Sequence, residues 1–131
     1  MKKVFGLFAF LLVAMGLVPV SSGADLTPMY IGVSNIDSAL SINGGQAQCS
    51  GNASIRNSYS ADLTVTLQKQ NGTQWTYVTS WSDNGTVYVS AGGSVAAIKG
   101  SSYRVVAKAT VKDASGNTIE TVSSTSPTKT Y

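Results

Sequence analysis

Tyr103-Arg104-Val105-Val106-Ala107-Lys108-Ala109-Thr110-Val111 decides the fold of this chain. Tyr103, Val105, Ala107, Ala109 and Val111 share one parity, while Arg104, Lys108 and Thr110 take the other, with Val106 the exception. A period of two marks a strand with one face in a core and one in water. It is the longest such run in the sequence, and the other hydrophobic segments are short enough to pack around it.

Working back towards the N-terminus, Gln46 to Ile55 alternates in the same way. Ala47, Cys49, Ala53 and Ile55 lie on one side, and Gly51 stands among them where a neighbouring strand would come close. Leu63, Val65 and Leu67 alternate with Thr64, Thr66 and Gln68, and Asn71-Gly72 then signals a hairpin. Asn43-Gly44-Gly45 signals another. Ile31 and Val33 disagree in parity with Ile36, Leu40 and Ile42, which requires a one-residue slip near Asn35. Beyond the hairpin at Asn71, the sequence predicts a return strand through Trp75 and Tyr77. It further predicts a turn at Ser82-Asp83-Asn84-Gly85, a strand through Val87 and Val89 broken at Gly92-Gly93, and a short strand or crossover at Val95 to Ile98. A loop at Asp113 to Asn117 and a closing strand over Thr118 to Ser124 complete the set.

No segment beyond residue 24 repeats with helical period. About seven short strands separated by Gly and Asn turns indicate an all-β, antiparallel sandwich.

Lys2 and Lys3 precede an apolar run from Val4 to Val18, and Ser22-Gly23-Ala24 supplies the small residues of a cleavage site. Residues 1–24 are therefore expected to be a secretory signal peptide cut between Ala24 and Asp25, with residues 25–131 forming one domain. The expected product is freely secreted, with no membrane association once the signal is removed. Without Lys2 and Lys3, seven of the nine basic residues face six acidic ones, so the formal charge of +3 falls to +1. That balance gives no support for nucleic acid as a partner.

The strand order carries a resemblance. Tyr103-x-Val105-x-Ala107-x-Ala109, followed by a Gly-containing loop and a Ser/Thr-rich strand, resembles the F–G end of fibronectin type III and other Ig-like domains. The Leu63 to Trp75 hairpin resembles their C–C′ pair. Leu40-Ser41-Ile42-x-Gly44-Gly45, Cys49-Ser50-Gly51, Leu67-Gln68-Lys69, Trp75 and Tyr103-Arg104-Val105, in that order, are also similar to a family of small secreted proteins from Gram-positive bacteria. That family is a domain of unknown function, so the resemblance implies a sandwich and export but supplies no catalytic or binding residue. Antibody-type domains pair two cysteines across their sheets, whereas Cys49 is alone here.

Catalytic chemistry finds little to work with. The sequence has no histidine, which removes Ser–His–Asp and Cys–His sites and His-bound zinc. The acids are scattered, and their spacing suggests no glycosidase-like pair. Asp113-x-Ser115-x-Asn117 offers oxygens to calcium but lacks the later bidentate carboxylate, and it reads more simply as a loop. A non-enzyme without cofactor or metal is the expectation.

Cys49 is either a buried small hydrophobe or an exposed thiol, and its parity favours burial. Trp75, Tyr77, Trp81 and Tyr88 form an aromatic cluster that would serve as core or as a platform for sugar rings. Core packing is expected of Trp75, while Trp81, beside a turn, is the more open. Arg104, Lys108 and Lys112 line the polar side of the central strand, as a solvated face or as a site for an acidic cell-wall polymer. Asn52-Ala53-Ser54, Asn71-Gly72-Thr73 and Asn84-Gly85-Thr86 are glycosylation sequons in a host that uses them.

The expected function is a secreted, non-catalytic binding or structural module, its partner a cell-wall polymer, a glycan or another surface protein. Trp81, Tyr88, Arg104 and Lys108 are the candidate contacts. A carbohydrate-binding module is the first alternative, and an inhibitor presenting Ser82 to Gly85 or an unrecognised enzyme is the second.

Overall fold

The computed structural model describes Tyr30 to Tyr131, so the expected cleavage site between Ala24 and Asp25 lies outside the described residues. Eight strands follow in chain order: β1 Val33–Asn43, β2 Gln46–Ile55, β3 Ser60–Asn71, β4 Gln74–Gly85, β5 Tyr88–Ala96, β6 Ser102–Lys112, β7 Thr118–Thr125 and β8 Lys129–Thr130. One sheet has the order β1-β2-β5. The other has the order β4-β3-β6-β7, with the short β8 also paired to β6. Every pairing is antiparallel. The three strands face the four across a shared core, which makes the fold an Ig-like sandwich.

The core is built from the parities read in the sequence. Tyr103, Val105, Ala107, Ala109 and Val111 of β6 are at most 2% exposed, and they meet Leu63, Val65 and Leu67 of β3 on the same inner face. Ala47, Cys49, Ala53 and Ile55 of β2 cover them from the other sheet. Most of these side chains are small, so the sheets can approach closely. At Gly51 a β-carbon would lie 2.7 Å from Cγ2 of Val65 and 2.9 Å from Cβ of Ala107. The absence of a side chain there lets β2 cross β3 and β6 at that separation. Tyr103 is buried with its polar end satisfied, its hydroxyl accepting the backbone N–H of Ile98 at 2.8 Å.

The slip expected near Asn35 is a register shift between Val33 and Asn35. Three expectations are corrected. Ser82 to Gly85 is not a turn, because β4 continues to Gly85 and pairs with Ala61 to Thr64. Four residues of turn-forming type continue the ladder because β3 offers a full-length partner, and the chain reverses instead at Thr86-Val87. Gly92-Gly93 does not break β5, since both residues pair with β2, opposite Ser50 and Cys49. The closing strand is followed by β8, which the sequence reading did not include.

The gap between β7 and β8 is bridged by one hydroxyl. The chain leaves β6 after Thr125 and rejoins it at Lys129. In between, Ser126 N–H donates to the carbonyl of Val105 at 2.8 Å, and Val105 N–H donates to Oγ of Ser126 at 2.8 Å. The same hydroxyl donates to the carbonyl of Pro127 at 3.0 Å. Ser126 is 6% exposed and is the buried polar residue among the described ones. Its side chain replaces a ladder acceptor so that the central strand keeps no orphan donor.

Candidate functional site: the outer face of the four-stranded sheet

The aromatic cluster is divided by a bulge. Leu67 pairs with Thr79, but the next residue, Gln68, pairs with Tyr77, so Val78 is an extra residue in β4. Before it, Trp75 and Tyr77 stand opposite Gln70 and Gln68 and share their outward side. After it, Trp81 stands opposite Val65 and turns inward. In a regular strand residues six apart share a face, and the bulge reverses that rule here.

Trp81 is therefore half-buried and packs on the core, its indole lying against Gly93 of β5 at the rim between the sheets. Both tryptophans are half-buried, but the one that packs on the core is Trp81 and not Trp75, the reverse of the expectation. Tyr88 is 57% exposed on a third surface, the outer side of the three-stranded sheet, opposite Ser54. Trp81 and Tyr88 are not brought together as a platform.

Arg104 and Lys108 do share a face, and Trp75 and Tyr77 stand on it with them. Arg104 pairs with Gln68, and its Nε–H donates to Oε1 of that residue at 2.7 Å. Its guanidinium carbon lies 4.2 Å from the centroid of the Trp75 ring, within the range of a cation–π contact. Tyr77 is 68% exposed, with its hydroxyl 3.1 Å from Oγ of Ser80. Beside this group runs a shallow groove of about 390 Å³ lined by Asp62, Thr64, Thr66, Gln68, Val106, Lys108 and Thr110. Val106, the exception in the parity of β6, stands between the threonines of β3 and β7 on this face. Lys112 Nζ lies 3.0 Å from Oδ2 of Asp62, which places the groove's carboxylate in an ion pair.

The remaining candidates have local roles. Asp113 Oδ1 accepts the N–H groups of Ser115 and Asn117, each at 2.9 Å, and closes the β6–β7 loop. The Asn117 amide, chiefly, holds that carboxyl below the usual range. Cys49 is 4% exposed, and desolvation pushes its thiol from 9.0 up to about 11. Among the described residues no three acids or thiols gather as metal ligands.

Gln68 is the residue that the sequence reading missed, because its partnership with Arg104 depends on the β3–β6 register. The position of Tyr77 depends likewise on a bulge whose sequence, Thr76-Tyr77-Val78-Thr79, contains no glycine to announce it. Compared with known proteins, the chain matches no family model and no curated sequence.

Proposed function

We propose that this chain is an exported, non-catalytic binding module, and that it binds a glycan on the outer face of its four-stranded sheet. The observation that carries this reading is the union, on one face, of an exposed Tyr77, the Trp75–Arg104 stack and the groove along Thr64, Thr66, Gln68 and Lys108. The C–H face of a pyranose packs on an aromatic ring, while its hydroxyls need donors and acceptors of the kind that Thr, Gln and Lys supply. The groove is at the small end of ligand sites, which suits a few sugar units of a longer chain. Its one carboxylate is paired to Lys112, and no second acid lines it to serve as a base or nucleophile opposite it. That favours binding over turnover.

A glycan and cell-wall binding screen of the purified protein tests the proposal. Tyr77→Ala is expected to abolish capture while leaving the melting curve unchanged. Binding to none of the glycans, or full binding by Tyr77→Ala, overturns it.

A second reading, a protein partner, is favoured by the end of the sandwich where β4 passes to β5. Tyr88 N–H donates to the carbonyl of Thr86 at 2.7 Å around Val87, whose φ is 69°. This is a γ-turn of the rare positive-φ kind, held by a β-branched residue that is 70% exposed. Strained, exposed positions of this sort concentrate at contact sites. Capture of a surface protein that is lost in Val87→Gly but retained in Tyr77→Ala would select this reading.

A further inference from the structure

Arg104 and Lys108 lie on the same side of β6, four residues and hence about 13 Å apart. Neither is ion-paired among the described residues, whereas the neighbouring Lys112 is committed to Asp62. Arg104 is also held in place. Gln68 takes its Nε–H and the Trp75 ring lies under its guanidinium carbon, while its two Nη groups have no hydrogen-bond partner among the described residues. A guanidinium fixed in this way presents a two-pronged donor whose orientation is already set, so little side-chain entropy is lost when it receives two oxygens of one anionic group. Asp62 lines the groove but is neutralised by Lys112, so no free carboxylate of the groove opposes an anion there.

We propose that the ligand of this face is an anionic glycopolymer. Arg104 receives one carboxylate or phosphate group of the polymer, Lys108 receives another, and the sugar units between them lie over Val106 and the threonines of β3. This rests on the reading of the face as a glycan site and adds charge selectivity to it. Arg104 supplies geometry as well as charge, whereas Lys108 supplies charge alone.

Calorimetric titration of the purified protein tests this with four polymers: polygalacturonate for carboxylate, glycosylated poly(glycerol phosphate) for phosphate, amylose as a neutral glycan, and duplex DNA as a polyanion without the sugar platform. At least one anionic glycan is expected to bind about tenfold or more tightly than amylose. Which of the two does so identifies the acidic group. That affinity is expected to fall as salt is added, because the cations are at the surface and are screened. Arg104→Lys, which keeps the charge and loses the fork, is expected to weaken anionic binding about tenfold without altering amylose binding. Lys108→Ser is expected to reduce the salt dependence.

Equal affinity for amylose and both anionic glycans overturns the charge selectivity and leaves the glycan site standing. Binding to no glycan overturns both. DNA bound as tightly as the anionic glycans overturns the proposal by reducing the face to a general polyanion surface. Unchanged anionic binding by Arg104→Lys overturns the role given to Arg104.

Discussion

The indole of Trp81 occupies the space in which a side chain at Gly93 would stand: a β-carbon there would lie 2.5 Å from Nε1 and 2.7 Å from Cε2. The tryptophan belongs to the edge strand of one sheet and the glycine to the edge strand of the other, so this contact seals one rim of the sandwich. Gly93→Ala is expected to destabilise by about 1–3 kcal/mol, since it overfills a packed site. Trp81→Ala should cost about 3 kcal/mol, the low end for tryptophan because the ring is only half-buried. In urea titrations of both single variants and the double variant, the combined loss should be smaller than the sum, because the truncated tryptophan leaves room for the new methyl group.

Gly51 is the corresponding position at the centre of the sandwich. Gly51→Ala has no flexible neighbour to displace, since Val65 and Ala107 are both fully buried. A loss of about 1–3 kcal/mol is expected, visible as a lower urea midpoint.

Ser126→Ala removes the acceptor of Val105 N–H in a buried place. Leaving that donor unpaired is expected to cost about 1–3 kcal/mol, a large effect for the loss of one oxygen. Hydrogen exchange should show the Val105 amide losing protection more than its neighbours on β6.

The two sides of β6 should respond differently to substitution. Val105→Asp buries a charge without a partner, and the expected cost of several kcal/mol would prevent folding. Lys108→Ser should change stability by less than about 0.5 kcal/mol. Arg104→Ser falls between them, because it removes the contact with Trp75, worth about 0.5–1 kcal/mol at an exposed site. Thermal melts of the three variants check this order.

Cys49 gives a pH dependence with a defined sign. Its thiol ionises near 9.0 in the unfolded chain and at about 11 in the folded one, so the folded state holds the proton more tightly. The contribution of this thiol to stability is fully present below pH 9 and declines as pH rises from 9 towards about 11. Comparing the stability profile of the protein with that of Cys49→Ala isolates the effect, since the other groups titrating there are common to both. At neutral pH a thiol reagent should label Cys49 only after denaturant is added.

Much of this architecture was legible from alternation alone. The inner faces of β2, β3 and β6 follow from unbroken period-two runs, because burial on one side imposes that period directly. The Asn-Gly hairpins were legible because turn geometry restricts residue choice. Ser82 to Gly85 and Gly92-Gly93 misled for a shared reason. Their local preference for turns is weak beside a full row of ladder hydrogen bonds offered by β3 and β2. The candidate site was half legible. Arg104 and Lys108 follow from the parity of a single strand, but Gln68, Tyr77 and the outward Trp75 depend on registers between strands, which composition does not encode.

The extra residue at Val78 lets one strand serve two purposes, holding a tryptophan against the core at one end and presenting aromatic rings to solvent at the other. Removal of that single codon would simply straighten the strand, since Tyr77 and Thr79 already face the consecutive residues Gln68 and Leu67. Trp75 and Tyr77 would keep the outer face and Trp81 the inner one, whereas a strand that kept Val78 but lost the bulge would put all three in a common phase and force either the rim or the outer surface to give up its rings. The loss of one residue in frame, which elsewhere in a strand exchanges interior for exterior, is therefore absorbed at this position, and both the rim and the outer surface keep their rings.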